Sequence, residues 1–518
     1  MKLRAKKSRR GTVLIVVLVV VTIMSLVAYT FAELMRNEHR AAKLHGRRVQ
    51  TRVLADSGLA MLQAYFMQDA ALRVESGGHY DNPDQFGGVL VPSPEWADLD
   101  SPHNRGRFTV LAPAVENGVV AGVRYGLEDE SSRLNVNFLL IADQQTEDGG
   151  RQLLMGLPGM TEEIADAILD WLDEDDQVRE FGAEIDYYSG LEPAYAPKNG
   201  PLESIEELLL VRGVTPELLL GVDANRNHLV DQSEQGRVIS TEIDNADGAM
   251  DRGWAGYLTL WSMESNLQES GEAKIDINGD DLEQLHADLS AVLDSEWVTS
   301  IIAYRQFGPS ESNKQGEAAG GRNLDFKKPG TVKFSTVLDL IGAKVRAEFK
   351  GEEDPVVLRT PFSERPLAAG IYLPKLLEHV TVNANPTIPG RININQASRT
   401  VLLGIPGMDE EVVEQIISLR SPEVTEDQPH RKYETWLYTE TVVGLEQMKE
   451  LIPFITGGGD VHRAQIVGYF DSGGPAARIE AILDATTEFP RVVFWRELSH
   501  LGRGYPLAKL GVEVSEDE

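Results

Sequence analysis

The feature that most constrains this chain is a run without charge near its N-terminus. Residues 12–32 are 21 successive residues with no charged side chain. As a helix rising about 1.5 Å per residue, this run spans the ~30 Å hydrocarbon core of a bilayer. Six Lys and Arg residues lie within residues 1–11, and Glu33 follows the run. Because positively charged flanks stay in the cytoplasm, we predict a single-pass protein whose N-terminus is cytoplasmic and whose body lies outside.

The helix is expected to continue beyond the membrane. Residues 33–68 contain no proline, and apolar side chains recur along them as a broken helical stripe. A helix from residue 12 to residue 67 would be on the order of 80 Å long. Residues 29–32, Tyr-Thr-Phe-Ala, make a poor signal-peptidase site, so the apolar run does not read as an ordinary cleaved signal peptide.

The body of the chain is acidic and contains no cysteine. The net charge is −32, and 518 residues are enough for two or three domains. Such a charge is repelled by phosphate backbones, which argues against nucleic acid as a partner. The acidity fits simple solubility or a calcium-binding surface, and both interpretations stay open. Without cysteine, the chain has no disulfides, thiol nucleophiles or thiolate metal ligands.

Alternating apolar segments predict an antiparallel sheet divided between the two ends of the body. The candidate strands are residues 107–111, 119–127, 464–470, 477–483 and 491–495. They define a sheet domain made of residues 69–130, which begin with a loop at 69–105, and residues 459–512. An acidic tail at 513–518 is expected to be disordered. The predicted fold class is α+β.

Between the two halves of the sheet lies a threefold repeat. Residues 132–137, 273–278 and 390–395 share the pattern basic, apolar, Asn/Asp, apolar, Asn, and residues 157–164 match residues 405–412 position by position. Each of the latter two segments has a Pro-Gly break, a Thr or Asp that can cap a helix, and two glutamates in the first turn. We therefore predict an inserted helical domain at 131–458 with hairpin units at about 131–215, 273–345 and 390–455.

Helical hairpins of this kind have two possible uses. In DNA-binding proteins, backbone amides of the glycine turn meet phosphate; in other proteins the hairpin is a structural module. Here the turns are followed by Glu162-Glu163 and Glu410-Glu411, whose carboxylates repel phosphate. The local charge favours the structural role, and a membrane-anchored DNA receptor remains the alternative.

Residues 223–234 fit the spacing of a twelve-residue calcium loop. Calcium takes six to eight oxygen ligands, and this spacing wraps them around one point. The predicted ligands are Asp223, Asn225, Asn227, the backbone carbonyl of Leu229, Asp231 and Glu234. His228 stands where such loops normally have glycine, and a histidine adopts positive φ only at some cost. The alternative is a polar turn without metal.

The N-terminus resembles a prepilin leader. Arg9-Arg10-Gly11-Thr12 precedes the apolar run, and the resemblance implies cleavage between Gly11 and Thr12 by a prepilin peptidase, followed by N-methylation. Most pilins have Glu at the fifth mature position, where this chain has Val16. That departure resembles the K-type minor pseudopilins of type II secretion systems, which are thought to sit at the filament tip.

A second stretch carries the same resemblance. Residues 170–202 contain Trp-Leu-Asp-Glu-Asp-Asp, then Gly-Ala-Glu, Tyr-Tyr and Asn-Gly-Pro-Leu in order, which is similar to the K-type family. The resemblance implies a pilin-like fold, a long N-terminal helix plus antiparallel sheet, with an inserted all-α domain of helix-hairpin-helix (SAM-like) units. It also makes Asp173, Asp175, Asp176 and Glu184 weaker candidate calcium ligands, the alternative being a solvated acidic helix end.

The expected role is therefore mechanical. No phosphate loop, His-Glu-x-x-His or nucleophile elbow is present, so we expect no enzyme. The resemblance implies a tip-capping minor pseudopilin of the inner membrane with a periplasmic body. Its partners would be other minor pseudopilins, the major pseudopilin and prepilin peptidase. A type IV pilus minor tip pilin would share the leader and differ only in its partners.

Overall fold

The computed structural model describes residues 10–93, 98–229, 231, 234, 252–313, 315–320, 322–352, 354–424 and 428–512, without the side chains of residues 10–12. Its α-helices are α1 (Arg10–Phe66), α2 (Ala70–Glu75), α3 (Pro83–Phe86), α4 (Leu139–Gln145), α5 (Gly149–Met155), α6 (Glu162–Leu172), α7 (Ile185–Tyr188), α8 (Pro216–Leu220), α9 (Leu282–Val292), α10 (Ser295–Phe307), α11 (Pro366–His379), α12 (Arg399–Leu403), α13 (Glu410–Leu419), α14 (Trp436–Thr439) and α15 (Leu445–Leu451).

The strands complete the description. They are β1 (Val89–Leu90), β2 (Gly106–Glu116), β3 (Val119–Tyr125), β4 (Glu128–Asp129), β5 (Leu134–Asn135), β6 (Leu258–Thr259), β7 (Met263–Ser265), β8 (Ile275–Asp276), β9 (Lys344–Ala347), β10 (Val356–Arg359), β11 (Val380–Thr381), β12 (Thr387–Pro389), β13 (Ile392–Asn393), β14 (Ile455–Thr456), β15 (Val461–Phe470), β16 (Ala477–Asp484) and β17 (Arg491–Glu497).

The predicted long helix is present as α1, which is 57 residues long. Its apolar segment is exposed, and α1 alone among the described helices is long and apolar enough to cross a membrane. Its C-terminal part lies across the sheet. There Ala55, Leu62 and Tyr65 are buried against Phe108 and Ile466. The apolar first half of α1 contacts no other element among the described residues, whereas the second half buries its apolar face against the sheet.

The sheet joins the two ends of the body as predicted. Seven strands pair in the order β1-β2-β15-β16-β17, with β3 beside β2 and β4 beside β15, and every pair is antiparallel. β2 extends well past the predicted residue 111. Pro113 lies there, but β15 pairs with β2 only as far as Leu111, so the missing N–H of Pro113 faces no strand on that side. The region predicted as loop, residues 69–105, also contains α2, α3 and β1.

The three repeated segments share one backbone pattern. Each opens with a two-residue strand that pairs in parallel with a later strand: β5 with β6, β8 with β11, and β13 with β14. The partner strands β6 and β11 lie beyond the predicted ends of the first two units. A short parallel pair cannot be recognised from two residues, so the sequence pattern identifies where a unit begins but not where it closes.

An asparagine ends each opening motif, and its side chain hydrogen-bonds to groups of the same unit. Asn278 donates to the carbonyl of Phe334 at 3.0 Å and accepts from the Phe334 N–H at 2.8 Å. Asn137 makes the same pair of bonds with Leu202, at 3.1 and 2.8 Å. Asn395 donates to two backbone carbonyls and accepts from the Trp436 indole. The repeated Asn thus supplies the donor and acceptor that irregular backbone lacks.

The first and third units pack against each other through two glycines. Gly156 and Gly404 occupy equivalent places, one residue before Leu157-Pro158 and Ile405-Pro406. A Cβ on Gly156 would lie 2.7 Å from the Cα of Gly404, and a Cβ on Gly404 would lie 2.6 Å from the carbonyl oxygen of Leu153. The turns that follow behave as predicted, with Thr161 capping α6 and Asp409 capping α13.

Candidate calcium-binding sites

The loop of the predicted primary site lies between α8 and the sheet. Asp223 accepts the N–H groups of Asn227 and His228, both at 3.0 Å, and the Asn227 side chain donates to the Asp231 carboxylate at 3.0 Å. Glu234 folds back and accepts the Asp231 N–H at 3.2 Å. His228 takes φ +60°, the conformation for which such loops normally use glycine. The six candidate ligands are therefore wrapped into one compact loop.

The charges around this loop do not favour a cation. The guanidinium of buried Arg478 donates to the carbonyl of Asn225, and buried Arg252 lies beside His228. Burial raises the pKa of Asp223, and the N–H groups of His228 and Asn227 oppose that rise. The loop is also held to the sheet, because Gln465 donates to the carbonyl of Arg226 at 2.7 Å. Protein donors thus engage the Asp223, Asp231 and Glu234 carboxylates, while the amide oxygen of Asn225 is buried without a partner.

The weaker candidate cluster has the opposite character. Glu184 is only 2% exposed, yet neither oxygen of its carboxylate has a hydrogen-bond partner in the described structure. One oxygen of Asp173 and the amide oxygen of Asn199 are buried without a partner in the same way. Buried oxygens of this kind are costly unless something donates to them or coordinates them. Four such oxygens lie in this one region, so it lacks the protein donors that would offset the burial of its acidic groups.

Two carboxylates of this cluster have raised pKa values. Burial, and then the charges of Asp170 and Asp173, raise the pKa of Glu184 to about 7. Burial, and then Asp170 and Asp175, raise the pKa of Asp173 to about 6. Carboxylates that crowd together and lose water hold their protons more tightly, and a bound dication would reverse both effects.

Local structure explains how the cluster forms. Asp173 directly follows the last residue of α6, and Glu184 directly precedes α7. Tyr188 of α7 packs edge-on against Trp171 of α6, with ring centroids 5.2 Å apart, which fixes the two helix ends together. The Asn199 side chain donates to Asp176 at 3.2 Å and to the carbonyl of Asp175 at 3.1 Å.

The structure adds two residues to the predicted set. Asp170 lies one turn before Asp173 on α6, and Asn199 lies in the Asn-Gly-Pro-Leu segment. The spacing of Asp170 was visible in the sequence, but the approach of Asn199 depends on the loop between α7 and residue 199. Within the part of the chain that the structure describes, no three Asp, Glu or His side chains are gathered closely enough to hold a metal ion unaided. A metal here would also need amide or carbonyl oxygens, which calcium accepts.

The predicted processing site is only partly described. The backbone of Gly11 and Thr12 belongs to α1, while residues 1–9 of the leader lie outside the described residues. The acidic tail at 513–518 also lies outside them, as do Val230, Gln232 and Ser233 of the loop.

Comparison with known proteins gives the context of the cluster. The family model of type II secretion system (T2SS) protein K, first domain, matches residues 132–223. Residues 132–223 are thus similar to the protein K family of type II secretion systems. The match includes the whole acidic cluster and ends at Asp223, so the orphaned carboxylates lie within the part shared with the protein K family.

Two individual proteins are also similar. The type II secretion system protein K of Aeromonas hydrophila is 46% identical over 57 residues, which are 11% of this chain and 17% of that protein. The match thus spans about a sixth of that relative's length. A chain of the crystal structure of the GspK-GspI-GspJ complex from the enterotoxigenic Escherichia coli Type 2 Secretion System aligns at 13% identity. This alignment covers 89% of the present chain and 99% of the other, with a TM-score of 0.33.

Proposed function

We propose that this chain is a minor pseudopilin of a type II secretion system that caps the tip of the pseudopilus and helps to initiate its assembly. The observation that carries the proposal is the protein K domain at residues 132–223. A long apolar helix packed on an antiparallel sheet supports it, since that is the architecture by which pilin-like subunits assemble. The role is mechanical and involves no enzymatic chemistry.

The domain organisation fits a terminal position. The helical insertion, which we assign to residues 131–458 and to helix-hairpin-helix units of the SAM-like type, is larger than the sheet domain that carries it. Such a bulk would obstruct stacking along a shaft but not at its end. Val16 supports the same position, because the resemblance to pilins implies that a Glu at the fifth mature position pairs with the N-terminus of a neighbouring subunit, and this chain has no Glu there.

The proposed partners follow from this role. The solved GspK-GspI-GspJ complex contains three secretion-system components, and we infer that this chain likewise assembles with other minor pseudopilins and with the major pseudopilin. We place it in the inner membrane with a cytoplasmic N-terminus, a periplasmic body and a leader removed by prepilin peptidase. Against a DNA-receptor role, Glu162, Glu163, Glu410 and Glu411 are exposed at the two Pro-Gly turns, where phosphate would have to bind.

The first test is the N-terminus of the protein recovered from membranes. We expect its intact mass and its N-terminal sequence to begin at Thr12. A Gly11→Leu variant is the matched control, and it should retain Met1 and fail to restore secretion in a strain that lacks the chain. Wild-type protein that begins at Met1 yet restores secretion would contradict the proposal. Tight binding to duplex DNA at physiological salt would favour the receptor alternative instead.

We also propose that calcium stabilises the protein. The acidic cluster is the better supported site: Asp173, Asp175, Asp176 and Glu184 would hold the ion with help from Asn199. The loop at 223–234 would be a second site. The ion would supply positive charge that offsets carboxylate repulsion and burial, so it would stiffen the turn between α6 and α7. Calcium at 100 times its Kd would stabilise the fold by about 2.7 kcal/mol.

Thermal unfolding with and without calcium separates the two sites. Glu184→Gln should abolish most of the calcium-dependent rise in Tm, whereas Asp223→Asn should abolish a smaller part. Glu203→Gln is the matched control, because the Glu203 side chain is 90% exposed. If all three variants respond to calcium like the wild type, the ion is not bound at either site.

A further inference from the structure

α1 carries a concentration of positive charge just beyond its apolar run. Residues 33–52 contain six Lys and Arg residues against two Glu, a net charge of +4 in a chain whose net charge is −32. The first three of these cations, Arg36, Arg40 and Lys43, are spaced four and three residues apart, so they lie along one face of the helix. All three are exposed, and we call them the basic stripe.

The basic stripe begins one helical turn beyond the expected membrane boundary. The uncharged run ends at Ala32, and Tyr29 just before it is exposed and of the type found at membrane–water interfaces. At about 1.5 Å per residue, the Cα atoms of Arg36, Arg40 and Lys43 lie roughly 6, 12 and 17 Å beyond Ala32. The headgroup layer is about 5–8 Å thick. Because helical side chains tilt towards the N-terminus, those of the basic stripe extend towards the headgroups.

Two cations of the basic stripe have no partner within the described structure. The side chains of Arg40 and Lys43 make no ion pair or hydrogen bond with any described residue, whereas Arg36 pairs with Glu33. Further along α1 the sheet supplies partners, and Arg52 donates to a carboxylate of β17 at 2.7 Å. The charge of Arg40 and Lys43 therefore remains available to a ligand from outside the chain.

Membrane insertion does not explain these charges. Lys and Arg beside a membrane span favour the cytoplasmic side, and in the proposed orientation residues 33–52 lie on the opposite side. The basic stripe thus opposes the orientation that the leader at residues 1–11 sets. Phosphate groups of anionic phospholipids supply complementary charge, and every anchored copy of α1 meets them at this depth. An acidic protein is the other source of negative charge, and it is less favoured because the unpaired cations begin beside the headgroup layer.

We propose that Arg40 and Lys43, together with Arg36, bind the phosphate groups of anionic phospholipids in the outer leaflet of the membrane that α1 crosses. The bound lipids fix the depth of α1 and oppose its withdrawal from the membrane. Withdrawal into a filament would separate the basic stripe from these lipids, so the contact retains the unassembled subunit. The inference rests on the proposed membrane anchoring and orientation, and not on the position of the subunit in a filament.

Energy transfer to labelled lipids measures this contact. The chain contains no cysteine, so a single Cys in place of exposed Ala41 carries one donor fluorophore on the full-length protein. The protein is reconstituted into phosphatidylcholine vesicles with a minor fraction of phosphatidylglycerol. A trace acceptor lipid is either phosphatidylglycerol or phosphatidylcholine, with the same fluorophore on an acyl chain. Each cation near an anionic surface strengthens the attraction about five-fold, so we expect the charged acceptor to be enriched around α1 at least about five-fold over the neutral one.

Two charge-matched double variants identify the residues responsible. Arg40→Gln with Lys43→Gln should remove the preference for the charged lipid. Lys350→Gln with Arg365→Gln removes the same charge from exposed positions of the helical domain and should leave the preference unchanged. The leader is identical in all these proteins, so its own attraction to lipid cancels from the comparison. None of the four side chains makes an ion pair or hydrogen bond with a described residue, so both variants should melt at the wild-type temperature. High salt shortens the screening length and should abolish the preference.

Three results would overturn the inference: a wild-type chain without preference for the charged lipid, the same preference in the Arg40 and Lys43 variant, or an equal loss in the control variant. If that variant instead keeps the lipid preference but loses crosslinks to another protein in cell membranes, an acidic protein occupies the basic stripe, which also overturns it. A chain that restores secretion without any lipid preference retains the proposed function and loses only this inference. A chain that enriches the charged lipid, keeps Met1 and restores secretion contradicts only the proposed function.

Discussion

Replacing Gly404 by alanine tests how the repeated units are joined. Gly404 has φ −77° and Gly156 has φ −69°, values that any residue adopts. Alanine therefore costs no backbone strain at either position, and its effect is steric. The added Cβ at position 404 would lie 2.6 Å from the Leu153 carbonyl oxygen, and at position 156 it would lie 2.7 Å from the Cα of Gly404.

The size of the stability loss depends on which atoms must move. The colliding atoms belong to backbone rather than to a flexible side-chain end, so the first and third units must separate by several tenths of an ångström. Overpacking of this kind costs about 1–3 kcal/mol. The two substitutions open the same contact, so the double variant should lose less stability than the two single losses added together.

Urea unfolding followed by tryptophan fluorescence measures these losses, because Trp171, Trp254 and Trp436 are buried in the helical domain. Gly370→Ala is the matched control. Gly370 lies inside α11, and a Cβ there would meet only Thr439, at 3.8 Å. Alanine should stabilise that helix by about 0.5–1 kcal/mol. The reasoning fails if Gly404→Ala and Gly156→Ala unfold at the wild-type urea concentration, or if their effects add fully.

Three further predictions concern single contacts. Asn278→Ala leaves the N–H and C=O of Phe334 without their partners, so it should lower the free energy of unfolding by about 1–3 kcal/mol. The control is Asn313→Ala at an exposed position, which should change that free energy by less than about 0.5 kcal/mol. Burial lowers the pKa of His79 to about 4, and it also lowers the pKa of His462, whose ring centroid lies 4.7 Å from that of His79. On acidification, the unfolded chain therefore takes up protons at these histidines before the folded chain does. The stability that these two histidines contribute should hold above pH 6.5 and fall between about 6.5 and 4, and unfolding curves across that range should have a shallower slope in a His79→Phe variant. Because its pKa is raised to about 7, Glu184 costs stability when ionised, so calcium-free Glu184→Gln protein should be more stable than wild type at pH 8, and equal melting temperatures would contradict this.

Much of the architecture could be predicted because its causes are local. The apolar run and the absence of proline determine α1, and alternating apolar residues locate β3, β15, β16 and β17. Thr161 and Asp409 cap their helices as their positions before paired glutamates indicate. The C-terminal end of β2 was not predicted, because Pro113 lies there. A proline is compatible with a strand only where no neighbouring strand needs its N–H, and the arrangement of the sheet decides where that is so.

The sequence by itself therefore determined the long apolar helix, the divided sheet and the place where each repeated motif begins, because spacing along the chain encodes them. The tertiary structure alone decided how each unit closes, how Gly156 meets Gly404, and which acidic residues lose their hydrogen-bond partners. Ligand spacing favoured Asp223 and its loop, but Arg478 and Arg252 approach that loop from distant parts of the chain. Both carboxylate oxygens of Glu184 and one of Asp173 become buried without a donor. Burial and the charge of neighbours set the free energy of a carboxylate, and both arise only when the chain folds.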